Sequence, residues 1–291
     1  MANRREWDQV PEPVRAAVES RIGAVLTAES PSAGRSSELS VTLTTDSGRV
    51  FCKGVTDGSS LAWMHRNERA VSPFLPERLA ARLLWDIEVD GWLVLGFEHV
   101  AGRHADLSPD SPDLPLIADA VEEIGRTAPP PESVARRPMA AQWAQAMKTE
   151  TALPPPADAD PWSIANAGRL VSWAAHAPDH MTGDGLVHSD LHPLNFLVSD
   201  RTRVIDWAWW RTGAAWIDPA FLVIRLIAAG HEPEAAEKWA GRFDGFAAAP
   251  PDALTAFAAS VLRLWERRFP TTDTTDAARR WARHRVPAPG R

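Results

Sequence analysis

The sequence predicts an α+β chain in two lobes, a small β-rich one followed by a larger helical one. Three observations carry this. Residues 24–54 alternate apolar and polar side chains around two turns. Residues 81–100 do so again around Asp90–Gly91. Beyond residue 113, apolar residues recur at helical spacing almost to the C-terminus.

Taken in order, WDQVPEPVRAAVESRI (7–22) predicts an amphipathic helix behind a short arm. AVLTAES predicts a strand and PSAGRSSE a turn of small and polar residues. LSVTLTT and RVFCKG predict two further strands joined by a DSG hairpin, which makes residues 24–54 a three-stranded meander. SLAWMHRNERAVSPFL (60–75) predicts a helix ending near Pro73, and ARLLWDIEVDGWLVLGFEHV (81–100) two more strands. The first lobe, residues 1–100, is then a five-stranded antiparallel sheet with one inserted helix. A connection near Glu98–Gly102 leads to the second lobe, residues 101–291. There 113–127, AAQWAQAMKTET, 161–177, 219–247, 252–268 and 276–285 predict helices. The Pro-rich stretches APPPES and ALPPPADADP read as surface loops between them.

Composition narrows the function classes. With 291 residues, 45% hydrophobic and 24% charged, the chain has the make-up of a soluble globular protein with a sizeable core. A net charge of −7 argues against a general nucleic-acid binder. No apolar run approaches the roughly 20 residues needed to span a bilayer, and MANRREWDQVPEPV lacks the apolar stretch of a signal peptide. Cys52 is the only cysteine, which excludes an intrachain disulfide and a thiolate-rich metal site. The expectation is a cytoplasmic protein with neither nucleic-acid nor membrane partners. Its only lysines are Lys53, Lys148 and Lys238; every other basic residue is arginine.

The chemistry concentrates in LVHSDLHPLNFLVSDRTRVIDWAWW (186–210), where acids stand among residues that belong inside a fold. Phosphoryl transfer from a nucleotide needs a group on the phosphates, metal ions that neutralise them, and a carboxylate that orients or deprotonates the attacking hydroxyl. Asp190 is the candidate carboxylate. Asn195, five residues on, and Asp206, after a predicted hairpin, offer the hard oxygen ligands that Mg²⁺ prefers. Lys53 on a strand and Glu68 on the next helix, 15 residues later, suit a lysine positioned by a glutamate.

In this order HSDLHPLN, VIDW and DPA resemble the aminoglycoside phosphotransferase and choline-kinase-like branch of the protein-kinase-like fold, over about residues 20–225. The resemblance implies a bilobal kinase-like fold and a small-molecule kinase that uses ATP or GTP with Mg²⁺ and phosphorylates a hydroxyl of an antibiotic or metabolite. It implies Asp190 as catalytic base, His188 as a brace of the catalytic loop, and Asp218 as a support from below. Asn195 and Asp206 become metal ligands, and Lys53 the phosphate-contacting lysine with Glu68 as its partner. Glu98–Val100 becomes the hinge, with backbone groups of Glu98 and Val100 offered to a purine. Ser189 stands where the family usually has Gly, and no G-x-G-x-x-G loop occurs; Ser36 and Ser37 are the candidate phosphate donors instead.

Competing readings are weaker. His188 and His192 are four apart but have no convincing third zinc ligand, and no G-x-S-x-G marks a hydrolase. Cys52 reads as a small buried apolar residue. Trp207, Trp209, Trp210 and Trp216 read mostly as core, with Trp209 or Trp210 the candidate for a stacking wall. For the acceptor the charges divide. Residues 104–132 carry seven acids against Arg126, while 260–291 carry eight arginines against Glu266, Asp273 and Asp276. An arginine wall would suit an anionic or neutral acceptor; the alternative is that these arginines are solvated and i, i+4 paired. The other function class is a nucleotide-binding sensor or scaffold that has lost turnover.

Overall fold

The computed structural model describes residues 4–31, 37–134 and 136–286. Its chain divides into two compact units. One comprises residues 1–104 with 194–210, the other 105–193 with 211–291. The direct stretch of the first unit runs to His104. The hairpin that carries Asp206 groups with the first unit because its strand β8 (Phe196–Val198) pairs with β6 (Arg103–His104) as well as with β9 (Thr202–Val204).

The first unit is built on a five-stranded antiparallel sheet. Its strands are β1 (Thr27–Glu29), β2 (Leu39–Thr45), β3 (Gly48–Thr56), β4 (Leu83–Val89) and β5 (Trp92–Glu98), in the order β1-β2-β3-β5-β4. The turn between β4 and β5 places Asp90 at φ 50° and Gly91 at φ 71°, the primed-turn geometry that matches strand twist. One face packs Val41, Leu43, Cys52 and Val94 against Val14, Val18 and Ile22 of α1 (Glu12–Ile22). Cys52 is fully buried and burial pushes its thiol up to about 12, so it packs as a small apolar residue. The other face receives α2 (Ala62–Val71), with Val55, Leu93, Leu95 and Phe97 beneath Ala62. The helix expected over 7–22 is interrupted. A 3₁₀ turn at Trp7–Gln9 stops at Val10, and α1 restarts behind Pro11, because proline lacks an amide N–H and is tolerated only in a helix's first turn.

The second unit is helical: α3 (Asp113–Arg126), α4 (Met139–Glu150), α5 (Pro161–Ala165), α6 (Ala167–His180), α7 (Ile217–Ala228), α8 (Pro233–Ala240), α9 (Asp244–Ala247), α10 (Pro251–Arg268) and α11 (Asp273–Arg285). The single helix expected over 161–177 is split at Asn166, and that expected over 219–247 becomes three. Gly230 at φ 109° ends α7, and Pro233 starts α8. α7 is buried on nearly every side, as its unbroken apolar sequence requires. Phe257 of α10 is the aromatic hub, stacked on Trp143 at 5.8 Å and edge-on to Phe221 at 5.0 Å and Trp216 at 5.4 Å. A short antiparallel pair, β7 (Gly185–Val187) with β10 (Arg211–Gly213), leads into the sequence block of interest.

The arginine-rich terminus does not present a bare cationic wall. Arg267 bonds Glu150 (2.7 Å), Arg279 bonds Glu266 (3.0 Å), Arg280 bonds Glu232 (3.0 Å), Arg283 bonds Asp160 (2.6 Å) and Arg285 bonds Glu237 (2.5 Å). These five are paired, but not through the i, i+4 contacts expected of the alternative. The partners named lie 13 or more residues away in sequence, and Arg279 alone adds a partner one helical turn off, Asp276 at 2.9 Å. The acidic stretch is partly spent on local structure too: Asp113 is buried and accepts the Asp106 N–H, and Glu122 pairs with Arg126.

Candidate active site

In the first unit, three charged side chains meet. Lys53 points from β3 towards α2, and its Nζ lies 3.0 Å from both carboxylate oxygens of Glu68 and 2.9 Å from Asp206 Oδ1. Glu68 is almost sealed from solvent, Lys53 nearly so, and Asp206 keeps 28% of its side-chain surface. Burial works against the Lys53 ammonium, but Asp206 and Glu68 outweigh it and hold its pKa above the ordinary lysine value. Burial pushes the Glu68 carboxyl up, while Lys53 opposes the shift. One ammonium thus holds two carboxylates that would otherwise repel each other.

The segment carrying Asp206 is tied to α2 by further bonds. Glu68 Oε1 also accepts the Trp207 N–H (3.2 Å). Asn67 donates its amide to the Ala208 carbonyl (2.7 Å), and the Trp210 indole N–H donates to the Asn67 carbonyl (3.0 Å). Asp206 itself is not in a strand. β9 ends at Val204, and Asp206 sits in the left-handed region at φ 63°, ψ 58°, with a 3₁₀ turn at Trp207–Trp209 behind it. Backbone strain of this kind, of order 1–3 kcal/mol, persists where the surroundings over-determine it. Here they do so through Lys53, Glu68 and Asn67. Asn195 is buried at the end of the preceding 3₁₀ turn, and its carbonyl accepts the Ile205 N–H (2.9 Å), which links both candidate metal ligands to one hairpin.

Other sequence-predicted positions of this unit fall variously. Ser36 lies outside the described residues. Ser37 is buried, and its hydroxyl lies 3.1 Å from His65 Nε2. His65 Nδ1 faces the Leu61 carbonyl, which leaves Nε2 towards the Ser37 hydroxyl. Burial, with the Lys53 charge, lowers the His65 pKa to about 4, which keeps the ring neutral. Glu98 ends β5, gives its N–H to the Arg82 carbonyl (2.9 Å) and its carboxylate to Arg203 (2.5 Å); Val100 follows it outside the sheet. Trp210 is fully buried, and Trp209 stands edge-on to Trp63 at 4.9 Å.

In the second unit, β7 delivers His188, Ser189 and Asp190. The carboxylate of Asp218, at the start of α7, accepts the N–H of His188 (2.7 Å) on one oxygen and that of Ser189 (2.8 Å) on the other. His188 is wholly buried, and its Nδ1 accepts the Asp190 N–H at 3.3 Å. Asp190 keeps about a third of its side chain exposed, with His192 Nε2 at 3.8 Å. The loop backbone is thus fixed from beneath at three successive amides while the Asp190 carboxylate stays accessible. Among the described residues no group of three or more His, Cys, Asp or Glu is arranged to hold a metal ion.

A model of the phosphotransferase enzyme family matches residues 27–257. The chain belongs to that family. A search of curated proteins finds no match. Among solved structures, this phosphotransferase-family chain is similar to the aminoglycoside phosphotransferase APH(4)-Ia in a ternary complex with ADP and hygromycin B, at 14% identity and a TM-score of 0.62, over 92% of this chain and 96% of that one. It is also similar to the choline kinase LicA from Streptococcus pneumoniae, at 15% identity and a TM-score of 0.61, over 93% and 96%. An aminoglycoside phosphotransferase from Alicyclobacillus acidocaldarius follows at 14% and 0.55, over 89% and 88%. These likenesses establish the protein-kinase-like fold. No helix among the described residues is long and apolar enough to cross a membrane.

The family member departs from the usual pattern at Ser189, which adopts φ 63°. A side chain in the left-handed region costs about 1–2 kcal/mol that glycine does not incur. Ser189→Gly should therefore be more stable than Ser189→Ala by about 1 kcal/mol, read from urea midpoints. Equal midpoints would mean that the loop is not strained there.

Asp218 sets a pH dependence. Burial pushes its carboxyl up from 3.8 to about 6, opposed by the two amides it accepts. The folded value lies above the unfolded one, so its contribution to stability is complete below about pH 3.8 and is lost as pH rises through about 6. The loss approaches about 3 kcal/mol. The clamp on the loop strengthens in the opposite direction, because the carboxylate is the better acceptor. Asp218→Asn should flatten the fall in urea stability between about pH 4 and pH 7. An unchanged slope would place the titration elsewhere.

Proposed function

We propose that this chain is a small-molecule kinase that transfers the γ-phosphoryl group of ATP or GTP to a hydroxyl of an antibiotic or metabolite. The observation that carries the reading is the bonding of Lys53 to Glu68 and Asp206 at once. A structural ion pair needs one acid; a lysine shared between a helix glutamate and a mobile-charge ligand site is what phosphate binding needs. Family membership supports phosphotransfer as the reaction class.

Asp190 is the base. It would accept the acceptor hydroxyl's proton, held in register by the Asp218 clamp and by His188. Lys53 would contact the nucleotide phosphates, and Glu98 and Val100 would offer backbone groups to the purine. Asp206 and Asn195 would hold Mg²⁺. One carboxylate and one amide oxygen, with no thiolate or imidazole, make the kind of partial donor set that Mg²⁺ completes with water and phosphate oxygens. When bound, the ion would neutralise phosphate charge. Ser36 and Ser37 would be the phosphate donors, Ser37 with its hydroxyl held 3.1 Å from His65 Nε2.

The test is a screen of hydroxyl compounds, several antibiotic classes among them, incubated with MgATP or MgGTP. The expected result is a mass gain of one phosphoryl group on at least one compound, abolished by omitting Mg²⁺. Nucleotide binding without transfer across the screen would favour a sensor.

A further inference from the structure

Arg225 is a largely buried cation of the second unit with no carboxylate in salt-bridge reach among the described residues. It stands on α7 seven residues after Asp218, the carboxylate that carries the His188–Ser189 backbone. Seven residues at 3.6 per turn return to nearly the same helix face, about 10 Å further along the axis. Helical side chains lean towards the N-terminus, which is the end of α7 that Asp218 occupies. Its guanidinium lies over the Trp265 ring at 5.1 Å, and one Nη donates to the Thr274 hydroxyl at 3.2 Å. The Nε–H is sealed from solvent and has no acceptor. Part of the side chain remains exposed.

No carboxylate lies within salt-bridge distance of this guanidinium among the described residues, whereas Arg267, Arg279, Arg280, Arg283 and Arg285 each have one. Burial lowers the Arg225 pKa, and the one acid whose charge opposes that is Asp190. A guanidinium stays protonated in proteins, so the charge cannot be relieved by losing a proton. A largely buried cation with a single hydrogen bond is costly unless a charge of opposite sign completes it.

We propose that the acceptor carries an oxyanion, a carboxylate or a phosphate, beside its reacting hydroxyl, and that Arg225 binds it. This rests on the kinase reading above, since the hydroxyl is the group that Asp190 serves. Trp265 and Thr274 hold the guanidinium plane, so the fork is set before the ligand arrives. The shared field of Asp190 and Arg225 orients such a molecule with its hydroxyl towards the carboxylate and its anion towards the arginine. A polycationic acceptor would meet the reverse charge at Arg225.

The test uses the full chain with isotope-labelled arginine and needs no turnover. Because the Nε–H is sealed, its proton exchanges slowly and gives a side-chain resonance, assigned by its loss in Arg225→Lys. Glycerate, glycerol 3-phosphate, glycerol and 2-amino-1,3-propanediol are titrated at matched millimolar concentrations. The expected result is a saturable shift of the Arg225 resonance with glycerate or glycerol 3-phosphate and none with the neutral or cationic alcohols. Whichever anion saturates first identifies the oxyanion. Arg225→Met should weaken calorimetric binding of that anion by roughly tenfold to a hundredfold. No saturable shift with either anion, an equal shift with glycerol, or anion affinity untouched in Arg225→Met would overturn the proposal. Failure of the kinase reading is seen separately, as absence of phosphoryl transfer in the screen, and leaves the resonance titration intact.

Discussion

Asp190→Asn should cut turnover by about 10²–10⁴ while leaving nucleotide affinity with Mg²⁺ nearly unchanged, the usual worth of a positioned base. The substitution is almost isosteric, and the groups that fix the loop do not touch the altered atoms. Asp218 holds the backbone of His188 and Ser189, and His188 accepts the Asp190 N–H, not its carboxylate. The backbone bonds that fix the loop are therefore retained while proton acceptance is lost. Asp206→Asn should behave differently, because Asp206 has two tasks in the first unit. It is the proposed anionic ligand of Mg²⁺, and it is one of the two acids on Lys53. Its loss should lower turnover and also the Mg²⁺-dependent part of nucleotide affinity. Nucleotide titrations with and without Mg²⁺ on both variants separate the roles. Equal losses of nucleotide binding, or near-normal turnover in Asp190→Asn, would show the assignment to be wrong.

Much of this was legible in the sequence because the informative patterns are local. The period-two strands around Asp90–Gly91, the helix bearing Glu68 and the ordered block from His188 to Asp218 lie within short windows. What stayed hidden depends on contacts between distant segments. Asn67 binds both Ala208 and Trp210, about 140 residues away, and nothing in AWMHRNERAV distinguishes a buried amide from a surface one. The paired state of Arg267, Arg279 and Arg283 depends on acids contributed by α4, α10 and the loop before α5. Ser37 reads as a candidate phosphate donor because small polar residues do surround phosphates. That His65, 28 residues on, lies beside its hydroxyl is a fact of tertiary structure alone. Arg225 sat inside an apolar helix as an apparent exception, and buried charge in such a helix is the signal that sequence reading had available and did not use.

The second large effect is expected at Lys53. Lys53→Met removes the only ammonium shared by Glu68 and Asp206, leaving two carboxylates against each other in a site from which Glu68 is almost wholly shielded. Breaking a buried pair by deleting one partner typically costs about 3–5 kcal/mol. Phosphoryl transfer should disappear with the same substitution, since no other lysine lies in the first unit's sequence, 1–104 and 194–210. The stability loss has a definite pH signature. In the parent, the Lys53 pKa is raised, so its contribution is fully present below about pH 10.5 and is constant across the neutral range. In the variant, Glu68 keeps the upward push of burial without the opposing ammonium. Its folded pKa rises further above the unfolded value of 4.5, so the variant is least impaired in acid and loses stability as pH increases through that raised value. Urea unfolding of Lys53→Met at about pH 5 and about pH 8 should therefore diverge, whereas Lys53→Met combined with Glu68→Gln should recover part of the loss at the higher pH and be nearly pH-independent. If Lys53→Met unfolds with the parent's midpoint at both values, the three groups do not share their charges as the distances of 2.9 and 3.0 Å indicate.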